Sequence, residues 1–401
     1  MTSNADLIAR AERVFLPNYK PAPVVFDRGE GAWVFDKDGN KYLDLVSGIA
    51  VSLLGHGNAR LADVIAAQSK KLIHVSNLYW NEPSIVLAER LVAHDFGERV
   101  FFSNSGAEAN EAAIKLARRY AWSRGEKERV EIVALNNSFH GRTMGALAAT
   151  GQPKYREGFE PLPRGFVHVS MGDVAALEAA VGPKTAAIMV EPIQGEGGVR
   201  PAPDGYLAEV RRIADAAGAI VIYDEIQTGF GRTGKIWCHQ HQGVAPDVMT
   251  LAKGIAGGLP LGAMLATSKV AGALAYGTHG TTFGGNPVAT AAGAVIMDAL
   301  DQPGFLANVT AVGDHLMRGL QAIGERWFSV VRGKGLLIGA ELAADVPFEA
   351  KVIVDAARAN GLLLHIAGPR VVRLAPPLIL TKDEADQGLR LIERTLEGFA
   401  R

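Results

Sequence analysis

The 401-residue chain has one cysteine, Cys238, so it can close no intrachain disulfide and build no cysteine metal cluster. It also lacks a charge excess. Its 41 Lys and Arg against 42 Asp and Glu leave a formal charge of -1, which removes the electrostatic case for a nucleic-acid or membrane-surface partner. No apolar run approaches the roughly 18 to 20 residues of a membrane span. The opening MTSNADLIARAER has neither the basic start nor the apolar core of a signal peptide. Internal repeats and low-complexity linkers are missing as well. These absences point to a mature cytoplasmic protein without a metal site, and its 48% apolar and 21% charged residues fit a globular chain.

At about 150 residues per domain, the length calls for two or three packed units. The middle of the chain alternates short apolar or β-branched runs with helical stretches, the pattern of a mainly parallel sheet covered by helices. Strands are expected at RVFF (Arg99), EIVAL (Glu131), AAIMVEP (Ala186), IVIYDE (Ile220), DVMTLA (Asp247) and GAMLAT (Gly262). GYLAEVRRIADAAG reads as a helix whose apolar positions Leu207, Val210, Ile213, Ala214 and Ala217 recur at helical spacing before Gly218 ends it. The ends differ. DRGEG and DKDGNKY suggest hairpins near the start, and Thr381 with Glu384 forms a capping-box pair ahead of the last helix. The expectation is an α/β fold, with a large domain over residues 51–295 and a smaller α+β domain built from 1–50 and 296–401.

Four stretches carry candidate chemistry. SNSGAEANEAAIKLARRYAW, from Ser103, turns through Ser105 and Gly106 into a helix, and its free N–H groups suit an anion as well as an ordinary N-cap. NSFHGRT, from Asn137, would set Phe139, His140 and Arg142 at the carboxyl end of a strand, where sites gather, or on a plain surface loop. Asp224 ends the apolar run IVIY, so its buried carboxylate needs either a cationic ligand or a structural partner such as an arginine. Lys253, in TLAKGIAGGLPLGAML, sits beside a glycine-rich turn where partial desolvation would favour a nucleophilic amine. Together, a Schiff-base lysine, a carboxylate for a ring nitrogen and an anion cradle meet the demands of pyridoxal phosphate.

With these stretches stand GIAVSLLGHG (Gly48), VEPIQGEGGV (Val190), THGTTFGGNP (Thr278) and VVRLAPPL (Val371). In order and over nearly the whole length, the chain resembles the class III aminotransferases of fold type I, most closely the branch that acts on N2-acetylornithine. The resemblance implies that Lys253 carries the cofactor, Asp224 protonates its ring nitrogen, Gln227 meets its phenolic oxygen and Phe139 stacks on its face. Ser105, Gly106 and Ala107 would hold the phosphate, with Thr282 contributed by the other subunit of a homodimer, and Thr281 would lie beside the substrate. Arg142 would clamp the α-carboxylate of the acylated diamino acid. Arg373 would bind that of the acceptor, 2-oxoglutarate, with Glu196 as its switching partner, and Tyr19 is a substrate-pocket candidate. Branches acting on succinylornithine, ornithine, 4-aminobutyrate or succinyldiaminopimelate share these motifs. GHGNARL, at Gly55, departs from the family pattern at positions without assigned chemistry.

A rival comes from GFGRTGK, whose Gly229, Gly231 and Gly234 spell a dinucleotide fingerprint and, with Lys235, a P-loop. Ile236 stands where a P-loop needs Ser or Thr. The following IWCHQHQGVAPD is also poor helix material, where both motifs need a helix start.

Overall fold

Strand-forming runs dominate the middle of the chain, and a computed structural model, which describes residues 3–324 and 326–399, gathers them into one seven-stranded sheet. In spatial order the strands are Arg99–Ser103, Gly262–Ala266, Val248–Leu251, Ile220–Asp224, Thr185–Val190, Glu131–Leu135 and Phe166–Val169. Gly262–Ala266 runs antiparallel to both neighbours, and the remaining pairings are parallel. Six of these strands are the ones expected from composition. The seventh, FVHV, is short and carries His168 in the run.

The strands Thr185–Val190 and Ile220–Asp224 are buried at every position, as parallel strands covered on both faces must be. One covering helix, Gly106–Ser123, packs Ala112, Ala113, Leu116 and Ala117 onto Ile132, Met189 and Ile222. On the opposite face Tyr206–Ala217 buries Leu207, Val210, Ile213 and Ala214 of the predicted apolar positions, leaves Ala217 half-buried in its last turn, and ends at Gly218 with φ 68°.

The expected hairpins are present: Phe26–Glu30 pairs with Trp33–Asp36, which pairs with Lys41–Asp44. Leu362–Leu363 then adds to Lys41–Asp44 in parallel, so one sheet draws on both ends of the chain. A separate four-stranded sheet places Val371–Leu374, with Arg373, beside Leu337–Leu342. The capping box at Thr381 and Glu384 is formed. Among the described residues no helix is long and apolar enough to cross a membrane, and no cluster of His, Cys, Asp and Glu is arranged to hold a metal.

Candidate active site

The parallel strands end at one cavity of ≈ 440 Å³, lined by Ser105, Phe139, Asp224, Gln227 and Lys253 among others. That is where an open α/β sheet places ligands, because loops leaving the carboxyl ends of its strands diverge there. Ser105 is the N-cap of Gly106–Ser123, its Oγ accepting from the Glu108 N–H at 3.2 Å, so the ordinary-cap reading holds. The cap does not use the N–H groups of Gly106 and Ala107. They lie in the first turn, where no intrahelical acceptor exists, and both residues line the cavity. A Cβ on Gly106 would come within 2.7 Å of Ile226, so only glycine lets this turn lie so close to the Asp224 loop.

The loop after Glu131–Leu135 opens at Asn137, held at φ 64°, and presents Phe139 to the cavity. It is tied down from two sides. Glu191 Oε2 accepts from the Phe139 N–H at 3.0 Å. Glu111 Oε1 accepts from Thr143 Oγ1 and from the N–H groups of Gly145 and Ala146, capping the short helix Met144–Ala149. Arg142 is exposed at the cavity wall, and among the described residues its guanidinium donates no hydrogen bond and forms no ion pair.

Asp224 is buried, and among the described residues no arginine meets it. Its Oδ2 accepts from His140 Nδ1 at 2.7 Å and from Asn110 Nδ2 at 2.8 Å, and its Oδ1 from the Ile226 N–H at 3.0 Å. Asn110 is fixed in turn by Thr250 Oγ1, which donates to its amide oxygen at 2.7 Å. His140, only a titratable ring in the sequence, thus emerges as a partner of Asp224. Its Nε2 is buried without a partner.

Lys253 follows the strand Val248–Leu251 at φ 45°, a left-handed conformation rare for a side-chain-bearing residue and frequent at functional positions. Burial pulls its amine down to about 8, against the opposing pull of Glu196, while the Arg373 cation adds to the lowering. Glu191, buried at the end of Thr185–Val190, also lines the cavity and is absent from the residues expected there. Desolvation and the nearby Asp224 carboxylate push its acid group well up. A carboxylate closing an apolar strand, as at Asp224, was the available signal.

Arg373 does not line the cavity. It lies against two residues that do, donating to Glu196 Oε1 at 2.6 Å and to Gln227 Oε1 at 3.1 Å, while its Nη2 is buried with no partner. Burial alone would raise the Glu196 acid, but Arg373 and then Lys253 outweigh it and hold it at about 2. Thr281 borders the site, its Oγ1 accepting from Asn104 Nδ2 at 3.1 Å. Thr282 is exposed, and Tyr19 is 80% exposed and distant in the chain from any lining segment. A single chain does not bring these two into the cavity.

The glycines of GFGRTGK enter no phosphate site. Gly231 and Gly234 take φ 79° and 86° in a succession of turns, followed by the four-residue 3-10 turn Cys238–His241. No helix start faces a ligand there. Arg232 from this stretch is buried, donating to the carbonyls of Leu336 and Pro376.

A reactive lysine, a hydrogen-bonded carboxylate, an aromatic face and free helix N–H groups around one cavity fit pyridoxal phosphate, and define a pyridoxal-phosphate enzyme. The chain belongs to the class III aminotransferases: the model of the family described as Aminotransferase class-III matches residues 14–396. It is 49% identical to the acetylornithine aminotransferase of Xanthomonas axonopodis pv. citri (strain 306), over 100% of both chains. It is 44% identical to the succinylornithine transaminase/acetylornithine aminotransferase of Pseudomonas aeruginosa, over 97% of each. Among solved structures, N-acetylornithine aminotransferase from Stenotrophomonas maltophilia K279a superposes with a TM-score of 0.85 at 40% identity, covering 98% of this chain and 99% of that one. The protein is therefore a transaminase of this class, dependent on pyridoxal phosphate.

Proposed function

We propose that the enzyme transfers the terminal amino group of N2-acetyl-L-ornithine to 2-oxoglutarate, giving N-acetyl-L-glutamate 5-semialdehyde and L-glutamate. The observation that carries this reading is the unequal state of two guanidinium groups. Arg373 is neutralised by Glu196, whereas Arg142 at the cavity wall is unpaired among the described residues. A donor whose reacting amine sits on a carbon without a carboxylate needs no cation beside that carbon. It does need one for its distant carboxylate, which Arg142 offers. An α-keto acid needs the opposite. Arg373, released from Glu196, then binds its α-carboxylate through the otherwise unpartnered Nη2. The names of the relatives support the same donor class.

When bound, pyridoxal phosphate supplies an electron sink and a carrier for the amino group. Ser105, Gly106 and Ala107 would hold its phosphate, Phe139 its ring face, Asp224 its ring nitrogen and Gln227 its phenolic oxygen. The Lys253 amine is poised by its lowered pKa to take the proton from the carbon bearing the substrate's amine and to return one. Asp224 is held rigid for its task by Asn110 and His140.

The finer assembly belongs to the same reading: a cytoplasmic homodimer with shared cavities. Leu78, Tyr79 and Trp80 are 84, 71 and 91% exposed, and Phe283 is 60% exposed. An apolar surface of this kind calls for a cover. Asn77 joins the two segments, donating to the Thr281 and Gly284 carbonyls, so the exposed patch adjoins Thr281 and Thr282. A second copy packed here would receive Thr282 at its own cavity.

The test is a donor panel on the cofactor-loaded enzyme: N2-acetylornithine, N2-succinylornithine, ornithine, 4-aminobutyrate and succinyldiaminopimelate, each with 2-oxoglutarate. The reading requires N2-acetylornithine to show the highest kcat/KM. A higher value for ornithine or 4-aminobutyrate would overturn it.

A further inference from the structure

The geometry points to Tyr155 as the positioning residue of the donor-carboxylate site: its ring face holds the Arg142 guanidinium by a cation–π contact while the ring packs at near right angles against Phe139. The Arg142 Cζ stands 4.3 Å from the Tyr155 centroid and 5.7 Å from that of Phe139. Tyr155 and Phe139 meet edge to face, centroids 5.6 Å apart at 79°. Among the described residues no hydrogen bond or ion pair fixes this guanidinium, which leaves it to the two rings, and Tyr155 is the nearer, at 4.3 Å against 5.7 Å. An aromatic face suits the task. A carboxylate partner would neutralise Arg142 and compete with substrate, whereas a π face attracts the cation and leaves all five N–H donors free.

The chain is built to return Tyr155 to this spot. After the helix Met144–Ala149, Gly151 N–H donates to Ser138 Oγ and its carbonyl accepts from Asn137 N–H. Gln152, 8% exposed, donates to the carbonyls of Asn137 and Ser138. A Cβ on Gly151 would lie 2.0 Å from the Leu135 carbonyl oxygen, so the zipper closes only with glycine. The 3-10 turn Pro153–Tyr155 follows directly and is thereby delivered beside Phe139. Lys154 Nζ also lies 4.7 Å from the Tyr155 centroid, so the ring carries a second cation.

This inference rests on Arg142 binding the donor carboxylate, and the experiment separates the two. Steady-state kinetics with N2-acetylornithine at saturating 2-oxoglutarate would compare the cofactor-loaded wild type, Tyr155→Phe, Tyr155→Leu, Arg142→Ala and the double variant Arg142→Ala/Tyr155→Leu. Tyr155→Leu is expected to raise KM for N2-acetylornithine roughly five- to tenfold at near-constant kcat, the scale of one cation–π contact. Tyr155→Phe keeps the wild-type KM, and Tyr155→Leu adds less than about twofold once Arg142 is gone. Replacing residue 155 with pentafluorophenylalanine keeps the shape but removes the attractive face, so KM rises as in the leucine variant, with cofactor absorbance and melting temperature unchanged. If Arg142→Ala raises KM while the fluorinated ring does not, the role of Tyr155 falls and that of Arg142 stands. If Arg142→Ala leaves KM unchanged, the donor-site reading falls first. Loss of cofactor absorbance together with KM in the fluorinated variant would make Tyr155 a packing residue and overturn the inference.

Discussion

Arg373 and Glu196 form a 2.6 Å ion pair in which only Glu196 lines the cavity, with the Arg373 side chain 2% and the Glu196 side chain 20% exposed. The pair is asymmetric. Glu196 faces the cavity and Arg373 is reached past it, so a substrate carboxylate gains the arginine only by displacing the glutamate.

Glu196→Gln should therefore shift preference between the two half-reactions. Without the carboxylate, Arg373 is permanently available, and glutamate binds more tightly while N2-acetylornithine meets an uncompensated cation beside its reacting carbon. Losing one partner of a largely buried pair is worth several kcal/mol. A change of at least about tenfold in the glutamate to acetylornithine ratio of kcat/KM is expected. Single-turnover absorbance measurements with each amino donor would read it, and an unchanged ratio would remove Glu196 from its role as a switch.

Cofactor uptake should depend on pH through Lys253. The amine must be unprotonated to attack an aldehyde, and its pKa of about 8 lies below the ordinary 10.5 because burial disfavours the ammonium. At pH 7 roughly a tenth of the amine is free, against a few parts in ten thousand for an unperturbed lysine. The reconstitution rate of the apoenzyme with pyridoxal phosphate should rise about tenfold from pH 7 to a plateau near 9, measured by stopped-flow absorbance. A continued tenfold rise per unit up to pH 10 would show an unperturbed lysine.

Asp224→Asn tests the carboxylate itself. The amide keeps the size and one acceptor for Asn110 or His140, but removes the negative charge from a buried cluster. The variant should still bind pyridoxal phosphate on Lys253, since the amine and the cradle at Ser105 are untouched. Turnover should fall by about 10²–10⁴, the range for losing a preorganised charge at a reacting centre. Borohydride trapping with mass spectrometry would report retention of the cofactor, and wild-type turnover in the trapped-competent variant would assign Asp224 a structural role only.

The parts of the site legible in the sequence were those with local signals. Asp224 and Lys253 stand at the ends of apolar runs, Ser105 precedes a helix with early acids, and Gly218 stops a periodic segment. The partners that make these groups work are non-local. Asp224 is held by residues 84 and 114 positions away, a relation visible only after the sheet order is set. Arg232 stands in a glycine-rich turn with no local mark of burial, and it is buried and bonded to carbonyls more than 100 residues downstream. Burial pulls that guanidinium down to about 9. Glu191 and Glu196 share the motif VEPIQGEGGV, and only the burial of the strand Thr185–Val190 sets Glu191 apart as a cavity residue. Thr282 and Tyr19 are exposed in one chain, and no local pattern in the sequence says what would cover them.

A buried charge behind the site predicts a pH limit on stability. His239 lies between Asp95 Oδ2 at 2.6 Å and Glu225 Oε1 at 2.7 Å, and Glu225 also accepts from the N–H groups of Cys238 and His239. Burial alone would lower the imidazole, but Asp95 and Glu225 hold it up at about 9. Since this folded value lies above the ordinary 6.5, the cluster stabilises fully below about pH 6.5 and loses that contribution as pH rises through 9. The contribution is on the order of 3 kcal/mol, taking 1.36 kcal/mol per unit. His239→Gln leaves Glu225 and Asp95 without their cation, so its melting temperature should fall well below wild type at pH 6. The gap should narrow by most of its value at pH 9.5, where the wild-type imidazole is also neutral. Calorimetry on both holoenzymes would check this. A gap independent of pH would mean that His239 contributes as a neutral hydrogen-bonding ring and not as a charge.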